Sequence, residues 1–120
     1  MQKIIDDQFG KPTSAVYLSK FLNQLVLGRY QLEFGVFNFS SNGDEVSWSG
    51  FAEAIFVHAF KANLINSIPK IMKISSKDYN APALRPGFTV LSNEKIEKRC
   101  KISFPNWKKL LIHDLKLMAR

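Results

Sequence analysis

The sequence predicts an α/β fold: a small, mainly parallel set of short strands with about four helices. Two β-prone apolar runs, Ile4-Ile5 and Gly35-Val36-Phe37-Asn38-Phe39-Ser40, are too short to be helices. Between and after them lie segments with helical spacing of apolar residues. A helix between two strands implies a parallel pairing of those strands. With 120 residues, the chain has enough length for one small domain and one core.

The first element is the Ile4-Ile5 strand. It runs into Asp6-Asp7-Gln8-Phe9-Gly10-Lys11-Pro12-Thr13. Gly10 tolerates backbone angles that other residues resist. Pro12 fixes φ and gives up a donor that a helix start does not need. Thr13 or Ser14 can cap the first turn. The stretch reads as strand, tight turn and helix N-terminus. In open α/β sheets ligands bind at such junctions, and a helix start favours an anion. By residue types alone, an ordinary strand-to-helix loop is the commoner outcome.

Leu18, Phe21, Leu22 and Leu25 share one face of a helix over residues 14 to 28, with Gly28 as its stop. Residues 35–40 form the next strand, expected to pair with Ile4-Ile5, and Ser41-Asn42-Gly43-Asp44 turns the chain. The strongest helix spans residues 47 to 63, with Ser47 as N-cap. Its stripe is Trp48, Phe51, Ala52, Ile55, Phe56, Ala59 and Phe60, a pattern of core packing. His58 lies beside the stripe with no second ligand type and reads as structural.

Residues 68–74 alternate apolar and polar late in the run, and Pro69 makes them an edge strand. Residues 75–86 form an irregular, ordered connection. Residues 92–100 read as a short capped helix. A last helix opens at Phe104-Pro105-Asn106-Trp107, with Trp107, Leu110, Leu111, Leu115 and Met118 as its apolar face.

The apolar fraction of 46% excludes a disordered chain, and ten Phe and two Trp must help fill the core. The net charge of +7 favours an anionic partner. Lys95, Lys98, Arg99, Lys101, Lys108, Lys109, Lys116 and Arg120 cluster near the C-terminus without interleaved stacking aromatics. That is a solvated basic face, and nucleic acid is not an expected partner. The lone Cys100 fits a reducing compartment. With no signal peptide pattern and no bilayer-length apolar run, the expectation is a cytoplasmic protein without membrane partners.

Several strings carry a family resemblance, in order along the chain. They are Asp7-Gln8-Phe9-Gly10-Lys11-Pro12-Thr13, Gly35-Val36-Phe37-Asn38, Ser47-Trp48-Ser49-Gly50-Phe51-Ala52, Pro82-Ala83-Leu84-Arg85-Pro86 and the Pro105-Asn106-Trp107 ending. Together they resemble the C-terminal, substrate-binding part of the dTDP-4-dehydrorhamnose reductases. These are Rossmann-type extended short-chain dehydrogenases that reduce a nucleotide-linked keto sugar for dTDP-L-rhamnose biosynthesis. Two positions depart from the pattern. Tyr17 stands where the family has an acidic residue, and Phe88-Thr89 stands where it has Asn-Ser.

The resemblance implies that residues 1–120 form one sugar-nucleotide-binding domain for a dTDP-linked 6-deoxy sugar. Gln8, Gly10, Pro12 and Thr13 would lie near the sugar and Arg85 toward the phosphates. Arg suits a diphosphate because its fork is planar and always charged. The residues alone equally allow Arg85 to hold its own loop together.

The family's cofactor and catalytic motifs are missing from this string. Its six glycines form no dinucleotide-binding turn. The position four after Tyr17 is Phe21, after Tyr30 it is Phe34 and after Tyr79 it is Ala83, so there is no Tyr-x-x-x-Lys. General acid catalysis needs a positioned donor, and hydride chemistry belongs to the cofactor. No cofactor is therefore expected in this chain. NADPH or NADH is expected only with a missing N-terminal domain, and no metal or catalytic residue is assigned. With Met1 just before the first motif, the expectation is a truncated or split reductase, inactive alone. A separately encoded N-terminal reductase domain, or a homo-oligomer, would cover its exposed aromatic surface. The alternatives are a non-enzymatic regulatory or scaffold relative, and a decayed gene remnant.

Overall fold

The computed structural model describes residues 1–119, so Arg120 of the basic set lies outside the described residues. The chain is α/β. In order it forms β1 (Gln2–Ile5), β2 (Phe9–Gly10), α1 (Ala15–Val26), β3 (Val46–Ser47), α2 (Trp48–Lys61), β4 (Ile71–Ile74), α3 (Ser76–Tyr79), α4 (Glu94–Cys100) and α5 (Trp107–Met118). The short α3 interrupts the connection expected to be irregular.

The parallel pairing exists, but with a different partner from the one expected. β1 pairs with β4 in parallel, Gln2 opposite Ile71 and Ile5 opposite Ile74. Residues 35–40 form no strand. The physical reason is packing: Phe37 and Phe39 serve the aromatic core, and the Ser40 N–H donates to Asn93 Oδ1 at 2.9 Å. β2 and β3 form a separate antiparallel pair. Residues 87–89 line up on β2 as well: the Phe9 N–H donates to the Gly87 carbonyl at 2.8 Å, and the Thr89 N–H to the Phe9 carbonyl at 3.0 Å.

Each longer helix starts on a polar cap. Ser14 Oγ accepts the Tyr17 N–H at 3.0 Å and so opens α1 without an acidic residue in its first turn. Asn106 Oδ1 accepts the Lys108 N–H at 2.9 Å and opens α5. Gly43 is required beside that cap. Its φ is +109°, and a Cβ there would lie 2.7 Å from Asn106 Nδ2. Helix α4 differs from the expectation, since Asn93 at its cap position bonds Ser40 rather than the helix.

The core is aromatic. Phe21, Ile96 and Phe104 are buried, with Tyr17, Leu25, Tyr30, Phe37 and Phe39 packed round them. Phe104 meets Phe21 edge-on with centroids 5.5 Å apart, and Phe39 lies 4.6 Å from Phe104. Tyr17 also faces Phe104 edge-on at 5.8 Å. The departure from the family's acidic residue therefore contributes to the core. A second packing region joins α2 to α5, where Phe51 meets the buried Trp107 at 5.7 Å. The α2 stripe is not wholly interior: Trp48 is 52% exposed and Phe60 44%.

Candidate functional site

The site begins where β1 ends. Asp6 Oδ1 accepts the hydroxyls of Ser47, at 2.8 Å, and of Ser49. These bonds, Ser49 first, hold its carboxyl below the ordinary aspartate value. They also fasten the strand end to the start of α2. Asp7 does the same for α3. It accepts the Ser76 N–H at 2.9 Å and the Ser76 hydroxyl at 2.5 Å, and its carboxyl is likewise lowered.

Between these anchors Gln8 is buried, with 7% of its surface exposed. Its Nε2 donates to Ser76 Oγ at 2.9 Å. Gln8 and Arg85 line one cavity of about 430 Å³, together with Trp48, Tyr79, Ile4 and Ile5. Arg85 is exposed and makes no ion pair or side-chain hydrogen bond among the described residues.

The remaining expected site residues lie beside this cavity. Gly10 and Pro12 line an adjoining cavity of about 100 Å³ with Lys11, Phe51 and Thr89. Trp48 borders both spaces. A Cβ on Gly10 would sit 3.2 Å from Thr89 Oγ, so the glycine lets residues 87–89 approach β2. Thr13 is exposed and lines a third groove of about 140 Å³ with Asp114 and Trp107. Gln8 and Arg85 thus share one cavity, Gly10 and Pro12 line the next across Trp48, and Thr13 lines a third that shares Pro12 with the second.

Trp48 and Tyr79 were missed as site residues because helical spacing and loop composition gave them other roles. The usable signal was position. Trp48 directly follows the Ser47 cap, and the first residue of a helix need not face the core. The cavity offers an amide, a guanidinium and aromatic surface, a donor set suited to a polar ligand with a phosphate and a ring.

The turn from β2 into α1, Lys11-Pro12-Thr13-Ser14, carries no glycine to admit a pyrophosphate. Among the described residues, no group of three or more His, Cys, Asp or Glu is placed to hold a metal ion. No helix among them is long and apolar enough to cross a membrane. Burial pushes the Cys100 thiol up, away from reactive thiolate character.

A family model described as the RmlD substrate binding domain matches residues 2–119. A dTDP-4-dehydrorhamnose reductase of Burkholderia thailandensis is 34% identical over 116 residues, covering 88% of this chain and 38% of that protein. The reductase of Sinorhizobium fredii is 32% identical over 110 residues, covering 87% of this chain and 36% of that protein. Among solved structures, a reductase from Clostridium acetobutylicum is similar with a TM-score of 0.76 and 27% identity, over 98% of this chain and 39% of that one. A reductase from Bacillus anthracis in complex with NADP shares the fold with a TM-score of 0.77 at 24% identity, over 92% of this chain and 36% of that one. The chain spans less than two fifths of the length of the curated relatives described above.

Proposed function

The chain belongs to the RmlD substrate binding domain family, and on that premise we propose that it binds the dTDP-linked 6-deoxy sugar of a dTDP-4-dehydrorhamnose reductase system. The single observation that carries this reading is the shared cavity of Gln8 and Arg85. Gln8 serves the sugar, with Gly10, Pro12 and Thr13 forming the adjacent edge of the site. Arg85 serves the diphosphate. The reduction itself, dTDP-4-dehydro-L-rhamnose to dTDP-L-rhamnose, needs a hydride from NADPH and a proton donor. A nucleotide-binding reductase domain supplies both, and the residues of this chain supply the substrate pocket.

Calorimetry with dTDP tests the phosphate role. Arg85→Ala is expected to weaken dTDP binding by roughly ten- to a hundredfold, the loss of one or two hydrogen bonds to a charged group. Unchanged affinity removes Arg85 from the site. Amide NMR with dTDP-L-rhamnose is expected to move Gln8, Thr13 and Arg85. Shifts confined to the C-terminal basic face would overturn the location of the pocket.

A further inference from the structure

We propose that Asp7 and Ser76 are positioning residues that fix the Gln8 side-chain amide with its carbonyl oxygen free for the cavity, so that this oxygen accepts a hydrogen bond from a hydroxyl of the bound sugar. The proposal rests on the sugar-nucleotide reading above.

An ionised carboxylate only accepts hydrogen bonds. Both Asp7 oxygens lie 2.9 Å from the Ser76 nitrogen, and Oδ1 lies 2.5 Å from Ser76 Oγ. A serine hydroxyl has one proton, and here Asp7 takes it. Ser76 Oγ then presents only lone pairs to its other neighbour, the Gln8 amide 2.9 Å away. A lone pair accepts only from a donor. The NH₂ branch of Gln8 must therefore face Ser76, and the oxygen branch must face elsewhere. Amide orientation is ordinarily ambiguous, because oxygen and nitrogen have nearly the same shape. In this site the acceptor-only character of Asp7 removes the ambiguity.

What remains is a carbonyl oxygen on a residue more than nine-tenths buried. Among the described residues none donates to Gln8 Oε1, and that atom is not among the sealed, unpartnered ones. Gln8 lines the 430 Å³ cavity. An acceptor in that position favours a ligand with a hydroxyl there. A ligand with a carbonyl there is disfavoured, since two acceptors cannot pair. Gln8 is then a specificity determinant, and Asp7 and Ser76 act through it.

The test compares dTDP-L-rhamnose with dTDP by calorimetry on the 120-residue chain, together with NMR of the Gln8 side-chain NH₂. The variants are Asp7→Asn, Ser76→Ala and Ser76→Thr. Asn at position 7 can itself donate to Ser76, which frees the hydroxyl proton to turn toward Gln8. Wild type is expected to prefer dTDP-L-rhamnose to dTDP. Asp7→Asn and Ser76→Ala are expected to shrink that preference about tenfold, one hydrogen bond's worth, with dTDP affinity within about twofold of wild type. Ser76→Thr keeps the hydroxyl and keeps the preference. The Gln8 NH₂ resonances move in the first two variants.

Retained preference with unmoved Gln8 NH₂ resonances in Asp7→Asn and Ser76→Ala overturns the proposal. Equal loss of dTDP and dTDP-L-rhamnose affinity also overturns it, because that is the signature of general unfolding of the site. Wild-type binding of neither ligand overturns the parent reading and takes the hydroxyl contact with it.

Discussion

Ser47 Oγ donates to Asp6 Oδ1 at 2.8 Å while accepting the Gly50 N–H at 3.1 Å. One hydroxyl thus caps α2 and ties it to the end of β1. Ser47 is buried, so its loss leaves an orphan N–H and weakens the support of a carboxylate. Ser47→Ala is expected to destabilise the chain by about 1–3 kcal/mol, the sum of a lost cap and a lost charge-assisted bond. The check is urea denaturation followed by circular dichroism. A change below about 0.5 kcal/mol, the scale of an ordinary surface substitution, would contradict this account.

Two phenylalanines of the same chain should respond in opposite ways. Phe21 is 5% exposed and stacks on Tyr30 at 5.4 Å, whereas Phe34 is fully exposed. Phe21→Ala leaves a cavity in a close-packed core and is expected to cost about 3–5 kcal/mol. Phe34→Ser removes no packing, so its effect on stability stays within about 0.5 kcal/mol. Leu84 is similarly bare, and each of the two side chains offers apolar surface to a second molecule. Sedimentation across a concentration series is expected to show self-association that Phe34→Ser with Leu84→Ser reduces. A concentration-independent monomer in both proteins would show that this surface is not adhesive.

The sequence made the local elements readable and left much of the long-range pairing unread. Ser14, Ser47 and Asn106 end up as caps because short polar side chains satisfy first-turn donors wherever they occur. The partner of β1 was not readable in the same way. Phe37 and Phe39 have β propensity, but propensity does not say whether a run pairs in a sheet or supplies rings to a core. Here the core around Phe21 and Phe104 won, and Ile71–Ile74 took the place beside β1. Gln8 and Arg85 stood out through their motifs, and both line one cavity. Ser76 did not, because its importance comes from lying beside Asp7 and Gln8 across a long stretch of chain.

Acid should loosen the junction that holds the site. The Asp6 and Asp7 carboxyls are both lowered by hydrogen bonds to serines, Ser49 then Ser47 for Asp6 and Ser76 for Asp7. A carboxyl whose folded pKa lies below its unfolded pKa contributes stability that is fully present above the unfolded pKa. That contribution is lost as pH falls through the folded pKa. The unfolded reference is 3.8 for both groups, so the loss begins near that pH and continues below it. Denaturation midpoints are expected to be flat with respect to these two groups from pH 7 to about pH 5, then to fall. Asp6→Asn should have a lower midpoint at pH 7 and a shallower acid fall. An equally steep acid fall in that variant would assign the effect to other groups.

Trp48 offers a direct optical reading of the pocket. The chain has two tryptophans, and their surroundings are opposite. Trp107 is 3% exposed, and its indole N–H donates to the Asp44 carbonyl at 2.9 Å. Trp48 is 52% exposed and borders both the Gln8–Arg85 cavity and the Gly10–Pro12 cavity. Emission should therefore have two components, one shielded from acrylamide and one open to it. A ligand seated in the larger cavity covers the open indole face, while Trp107 stays where it is. Binding of dTDP-L-rhamnose is expected to change the quenchable component alone and to protect it from acrylamide. Trp48→Phe should abolish the signal and leave the shielded emission intact, which separates occupancy of the pocket from a change in the core. Ligand-induced change that survives Trp48→Phe would mean that the sugar nucleotide binds elsewhere or reorganises the packing around Trp107.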